Sequence, residues 1–306
     1  MMSASHPDTR TRDATPRPDQ AGAGEVTRFA PSPTGLLHLG HAYSALDAAR
    51  AAGPSGRFLL RIEDIDTARC KPEFEQAIFD DLAWLGLGWE TPVMRQSARM
   101  DAYAQALAHL HDLGVTYPCF CSRKDIQAEA ERIGAAPHGP LGTPYPGTCR
   151  DLSPAERQAR IDAGTPYSLR LDHARAHQRI GQPSWTDRRH GTFQADLGEI
   201  GDVMLARKEI TTSYHLAVVV DDAAQGITLV TRGEDLLPAT PIHRVLQALL
   251  DLPVPDWAHH RLLDDDQGKR LAKRDDAVAI GAYREAGHTP EQVRALAGVP
   301  EAGRPG

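Results

Sequence analysis

Apolar positions along this chain fall into two alternating rhythms. Val26 to Ala30 (VTRFA) reads as a short buried strand stopped by Pro31 and Pro33. Helical spacing follows from about Gly40 to Ala52, and Arg57 to Ile62 (RFLLRI) reads as a second strand. Phe74, Ala77, Ile78, Leu82 and Leu85 share one face of a predicted helix over Pro72–Leu85. Another helix runs from about Arg99 to Leu113 and is closed by Gly114. Strand, helix, strand, helix at these lengths predicts parallel βαβ units.

The rhythm changes between Tyr117 and Gly201. That stretch holds three of the four cysteines, a predicted helix over Arg123–Ile133, a Gly- and Pro-rich segment from Gly134 to Gly147, and a short strand near Tyr167–Leu171. Another short strand is predicted over Val203–Arg207. The α/β pattern then resumes. Tyr214–Val220 reads as a very apolar strand ending at Asp221 and Asp222, Ile227–Arg232 as another, and Pro241–Leu250 as a helix with proline in its first turn. The basic segment Lys269–Arg274 and a helix near Pro290–Ala297 complete the chain.

The expected division is a tail over 1–24, a first half of a catalytic core over 25–116, an inserted subdomain over 117–201, a second half over 202–251, and a basic loop with a helical segment over 252–306. The tail contains no Val, Ile, Leu, Phe, Trp or Tyr, so it cannot bury enough apolar surface to offset its ordering entropy. It also lacks the apolar stretch of a secretory leader, and a cytoplasmic, monomeric protein is expected.

Composition narrows the class without choosing a function. Hydrophobic residues make up 41% and charged residues 25% of 306 positions, which excludes fibrous and wholly disordered classes. No apolar run approaches the ~18 residues of a membrane span. The net charge of −7 means that any nucleic-acid contact must be local.

Four clusters of residues carry candidate chemistry. In Arg28-Phe-Ala-Pro-Ser-Pro-Thr-Gly-Leu-Leu-His38-Leu-Gly40-His41, a strand gives way to a turn and then to a helix start. Gly40 lets a ligand approach the backbone, the helix N-terminus suits phosphate, and His38 and His41 can donate to phosphate oxygens. The second is Gly268-Lys269-Arg270-Leu271-Ala272-Lys273-Arg274, a cationic segment able to neutralise a triphosphate, or else a solvated turn offsetting Asp264–Asp266. Third, Arg28, Ser32, Glu63, Tyr214 and Arg232 sit at predicted strand ends, which converge on the ligand crevice of an open parallel sheet. Fourth, Cys119, Cys121 and Cys149 could ligate one tetrahedral zinc, for which ligand chemistry nominates His138 as fourth ligand.

These strings resemble class I aminoacyl-tRNA synthetases of the glutamyl type. RFAPSPTG-x-x-HLGH is similar to their HIGH region, Arg61-Ile-Glu-Asp to their RIED segment, and Tyr214–Asp222 and Thr231–Asp235 to their later strand and turn. The resemblance implies a Rossmann-type α/β catalytic core, ATP with Mg²⁺, and glutamate activated as an adenylate. It places the catalytic groups at His38, His41 and Lys273, and ATP contacts at His38, Gly40, His41, Arg270 and Lys273. It assigns glutamate contacts to Arg28, Ser32, Glu63, Tyr214 and Arg232. The basic segment resembles a KMSKS loop in which Arg270 replaces the first lysine and Ala272 the serine.

Only 32 residues follow Arg274, so no separate anticodon-binding domain is expected. Together with the CxC…YxxxC cluster, this resembles the glutamyl-queuosine tRNA(Asp) synthetase family, which nominates Tyr145 as the fourth zinc ligand. That resemblance implies transfer of glutamate to queuosine in the anticodon loop of tRNA(Asp). The competing expectations are a shortened glutamyl-tRNA synthetase charging the 3′ end of tRNA(Glu), a nucleotidyltransferase, and a regulatory paralogue without turnover.

Overall fold

The computed structural model describes residues 24–122, 124–126, 128, 145–198, 200–207, 211–263 and 278–299. Outside them lie the predicted tail up to residue 23, residues 123, 127 and 129–133 of the helix expected over Arg123–Ile133, His138, and the whole basic segment Lys269–Arg274.

The first half is a three-stranded parallel sheet. It is built from β1 (Val26–Phe29), β2 (Arg57–Ile62) and β3 (Glu90–Arg95), with α1 (Leu39–Ala52) and α2 (Pro72–Trp84) as crossovers. Helix α1 exists because its alanines and Leu46 bury one face, while Gly53 at φ 74° ends it. A 3₁₀ turn (Gln96–Arg99) leads into α3 (Met100–Asp112).

The second half adds α6 (Tyr214–Ala224), β9 (Leu229–Gly233), α7 (Thr240–Leu249) and β10 (Asp256–His260). Strand β10 runs parallel to β9 in register from Asp256–Leu229 to His260–Gly233. The two parallel sheets meet at β1 and β9, where the Thr228 N–H donates to the Val26 carbonyl at 3.0 Å and the Val26 N–H to Thr228 Oγ1 at 2.9 Å. The strand ends of both halves thus open on one crevice.

Between the halves, β4 (Thr116–Cys119), β5 (Ser168–Leu171) and β8 (Met204–Ala206) form a separate antiparallel sheet, flanked by α4 (Pro154–Asp162) and α5 (His173–Ile180). The hairpin β6 (Ser184–Asp187) and β7 (Gly191–Gln194) leaves that sheet and pairs in parallel with β10. Residues 117–201, read from the sequence as an insertion, therefore also contribute a hairpin to the catalytic sheet.

Beyond the basic segment the chain returns as α8 (Ile280–Glu285) and α9 (Pro290–Leu296). Ile280 donates to the Leu37 carbonyl at 2.9 Å, and Ala279 bridges His38. Among the described residues no helix is long and apolar enough to cross a membrane.

One predicted element is corrected. Tyr214–Val220 is the first part of helix α6, not a strand, and Asp221 and Asp222 lie within that helix. The run looks like a strand because its helix is buried almost all round: Leu216 to Val219, Asp221 and Asp222 are all buried.

Candidate active site

A cleft of about 640 Å³ opens at the strand ends, lined among others by Arg28, Ser32, His38, Gly40, His41, Glu63, Tyr214 and Arg232. Eight residues nominated for ATP or glutamate from four separate stretches of sequence therefore share one cavity. Arg270 and Lys273 lie outside the described residues. The chain enters that segment just after Leu263, which lines the cleft, and leaves it at Ala279, which is paired with His38.

His38 is the N-cap of α1, and its Nδ1 accepts the Gly40 N–H at 3.1 Å. His41 Nδ1 in turn accepts the His38 N–H at 3.2 Å, closing a reciprocal capping box made of imidazoles. Nδ1 acts as an acceptor in both rings, so in the neutral form each carries its proton on Nε2. The rings sit 3.8 Å apart between centroids. Two N–H donors at a helix N-terminus suit a phosphate whose charge grows during reaction. A Cβ on residue 40 would stand 3.0 Å from His38 Cε1 and 3.2 Å from Nδ1, so glycine preserves this arrangement. Gly233 serves the opposite wall: a Cβ there would overlap the Asp235 carboxylate and come within 2.9 Å of Leu262 Cδ2.

The charged wall is built on helix α6. Asp222 binds Arg28 through both oxygens, at 2.9 Å to Nε and 3.1 Å to Nη2, and Arg61 Nη1 at 2.7 Å. Burial pushes the Asp222 carboxyl up, but Arg28 and Arg61 outweigh it and hold it below the usual carboxylate range. Asp221 faces the other way and accepts from Gln96 at 2.9 Å, Arg99 at 2.6 Å and Tyr103 at 2.7 Å. Glu63 receives Arg61 Nη2 at 3.1 Å, yet burial raises its carboxyl above the usual range. An ammonium placed beside it would favour its ionised form.

Arg232 lies 6% exposed, and its five N–H groups reach His259, Tyr214, His243, Thr240 and the Leu236 carbonyl. Tyr214 reaches it from the first turn of α6, where Ser213 caps the helix. Sequence reasoning missed Asp222, Asp187, His259 and His243. Asp222 stood in a quoted motif but was placed on a strand; the others belong to no motif. The available signal for Asp222 was two adjacent carboxylates at the end of an apolar run, which need buried partners.

The cysteine cluster lies on β4 and the turn before α4. Cys119, Cys121 and Cys149 bring their Sγ atoms within 4.8 Å of one another. Tyr145 Oη is 3.6 Å from Cys121 Sγ and accepts the Cys149 N–H at 2.8 Å. A hydrogen bond between the Cys119 and Cys149 thiols holds Cys149 below the usual thiol range and, with burial, pushes Cys119 above it. Three soft thiols and a phenol oxygen at one point are a donor set that fits zinc.

Comparison with known proteins gives the family of this fold. Residues 25–299 match the family described as tRNA synthetases class I (E and Q), catalytic domain. A glutamyl-Q tRNA(Asp) synthetase from Rhodobacter capsulatus is 52% identical over 284 residues, spanning 90% of this chain and 100% of its own. The chain belongs to the glutamyl-Q tRNA(Asp) synthetase family of class I synthetases. A member from Nocardia farcinica is 48% identical over 91% of this chain and 84% of its own. A glutamate–tRNA ligase from Aquifex aeolicus is 38% identical, over 87% of this chain but 54% of its own. The glutamate–tRNA synthetase of Elizabethkingia anophelis superposes with a TM-score of 0.76 at 28% identity, over 90% of this chain and 61% of that one. The protein is a ligase of the class I aminoacyl-tRNA synthetase type, with a parallel-sheet catalytic core as expected.

Proposed function

We propose that this protein activates glutamate with ATP as a glutamyl-adenylate and transfers the glutamyl group to queuosine at the wobble position of tRNA(Asp). The observation that carries this reading is a relative of that name sharing 52% identity over its whole length. The cleft supports it with donors for phosphates, two guanidiniums for carboxylates and a buried carboxylate for an ammonium. Arg28, Ser32, Tyr214 and Arg232 hold the carboxylates, and Glu63 holds the ammonium. His38, Gly40 and His41 hold the phosphates of ATP, joined by Arg270 and Lys273 from the basic segment and screened by Mg²⁺.

In the first step a glutamate carboxylate oxygen attacks the α-phosphorus, the bond to the bridging oxygen breaks and pyrophosphate leaves. The Nε2–H groups of His38 and His41 stabilise the charge that builds on the phosphoryl oxygens. In the second, a queuosine hydroxyl attacks the acyl carbon, loses its proton and displaces AMP. No covalent enzyme intermediate is needed, because the adenylate is itself the activated acyl group.

Zinc would be held by Cys119, Cys121, Tyr145 and Cys149, with His138 as the alternative fourth ligand, and would fix the fold around β4. The protein acts as a monomer in the cytoplasm, where its thiols stay reduced.

The deciding experiment supplies labelled glutamate and ATP with tRNA(Asp) that carries queuosine but lacks its 3′-terminal adenosine. Label on that RNA, and none on the same RNA without queuosine, is the expected result. Label that requires the terminal adenosine, on tRNA(Glu) in particular, overturns it. The second outcome would fit the likeness to glutamate–tRNA ligases, which is weaker and covers 54% of the Aquifex relative.

A further inference from the structure

Arg232 is held from behind by groups that leave its charge uncancelled. Its Nε donates to His259 Nε2 at 2.9 Å, Nη1 to His243 Nδ1 at 3.1 Å and Nη2 to Thr240 Oγ1 at 2.8 Å. The two longest bonds, both 3.3 Å, run from Nη1 to Tyr214 Oη and from Nη2 to the Leu236 carbonyl. Tyr214 and Leu236 line the cleft, whereas His259, His243 and Thr240 stand behind it. Each terminal nitrogen thus keeps one N–H on a short buried bond and another on a long bond at the cleft edge. A carboxylate can take one N–H from each terminal nitrogen without disturbing the buried bonds.

Asp187 stands behind His259. Its Oδ2 lies 2.6 Å from His259 Nδ1 and accepts the His259 backbone N–H at 3.1 Å, while Oδ1 accepts the N–H groups of Arg189 and His190 at 2.8 and 3.0 Å. An ionised carboxylate only accepts, so the imidazole proton sits on Nδ1 and the lone pair on Nε2 faces the Arg232 Nε–H. Both side chains are fully buried, so water does not compete for either nitrogen. Burial, with the Arg232 charge beside it, holds His259 down to about 4, and the ring is neutral at pH 7.

We infer that Asp187 and His259 are positioning residues for Arg232, a neutral imidazole placed between carboxylate and guanidinium so that the cation points at the cleft without being neutralised. Arg28 and Arg61 show the contrast: both share the carboxylate of Asp222. A carboxylate placed directly on Arg232 would hold it as firmly but would compete with the substrate's own. The inference rests on the reading that Arg232 receives a carboxylate of glutamate.

Two substitutions at one position separate aiming from packing in glutamate-dependent ATP–pyrophosphate exchange by the full chain. His259→Gln sets an amide oxygen near the place of Nε2 and keeps an acceptor for Arg232. His259→Asn sets its amide near Nδ1, keeping the link to Asp187 but leaving Arg232 Nε without an acceptor. His259→Asn is expected to raise the glutamate KM about tenfold, with kcat and the ATP KM within about twofold, while His259→Gln stays within about threefold of the parent. Asp187→Asn, which turns an NH₂ toward N–H donors, is expected to raise the glutamate KM in the same selective way. A glutamate KM unchanged in His259→Asn, or equally raised in His259→Gln, overturns the relay, as does a parallel rise of the ATP KM in all three variants. Arg232→Ala distinguishes the two levels. If its glutamate KM rises and that of His259→Asn does not, the relay alone fails; if neither rises, the carboxylate reading of Arg232 fails with it.

Discussion

Gly40 shows how one missing side chain can govern the reacting end of the cleft. Its N–H holds the His38 ring by Nδ1, and any Cβ there would press on the same ring at 3.0 Å. Gly40→Ala is therefore expected to keep the fold and glutamate binding, because alanine is a better helix residue than glycine. It should lower kcat/KM for ATP in pyrophosphate exchange about tenfold, since the imidazole Nε2 moves off the phosphate. An exchange rate equal to that of the parent would show that His38 does not act where the capping box places it. Arg28, Glu63, Arg232 and the two histidines were legible in the sequence because they stand inside short recognisable strings. Asp187 and His259 were not. They are 72 positions apart, and only their 2.6 Å contact gives either a meaning.

Among the elements, helix α6 was the one misread, and the reason is physical. Val218, Val219 and Val220 favour strands locally, and the polar face that would betray a helix is almost absent. Its two carboxylates are polar but turned inward, each satisfied by partners from β1, β2, the 3₁₀ turn Gln96–Arg99 or α3. Asp222→Asn leaves Arg28 and Arg61 sharing a neutral amide in a buried place. It is expected to cost about 3–5 kcal/mol in urea unfolding, and a loss below about 1 kcal/mol would show that the clamp does not hold the two halves together. The cysteine cluster is the other element-scale feature, and its three-thiol part was legible from spacing alone. Reduced protein purified without chelator is expected to carry one zinc per chain, and Cys149→Ser to lose it by metal analysis. Full zinc content in that variant would move the site away from these residues.

At the scale of the whole molecule, buried histidines of the second half make stability depend on pH. Burial first, then the charge of Arg232, lowers His215 and His259 to about 4, and His243 is lowered for the same reasons. The unfolded chain binds protons on these rings near pH 6.5, while the folded chain does so only near 4 at His215 and His259 and well below the usual imidazole range at His243. Their contribution is complete above about pH 6.5 and is lost as pH falls toward 4, because the unfolded state gains protons first. For the fully buried His259 it is on the order of 3 kcal/mol. The urea midpoint is expected to fall steadily between pH 7.5 and 5, and a flat midpoint over that range would show that these rings titrate normally in the fold.

Hydrophobic period and glycine and proline punctuation were enough to predict the α/β class and many of the elements, and four clustered motifs, with the resemblance they carry to glutamyl-type class I synthetases, nominated residues for ATP, glutamate and zinc. Those features are local, set by 3.6- and 2-residue periods and by short spacings along one chain. Which groups stand behind them was decided only in three dimensions. A buried carboxylate takes its role from the cation it faces, and the chain brings that cation from 194 positions away for Asp222 and Arg28. Charge balance within the cleft, with Arg28 and Arg61 sharing one carboxylate and Arg232 held by neutral rings, is therefore a property of the packed fold.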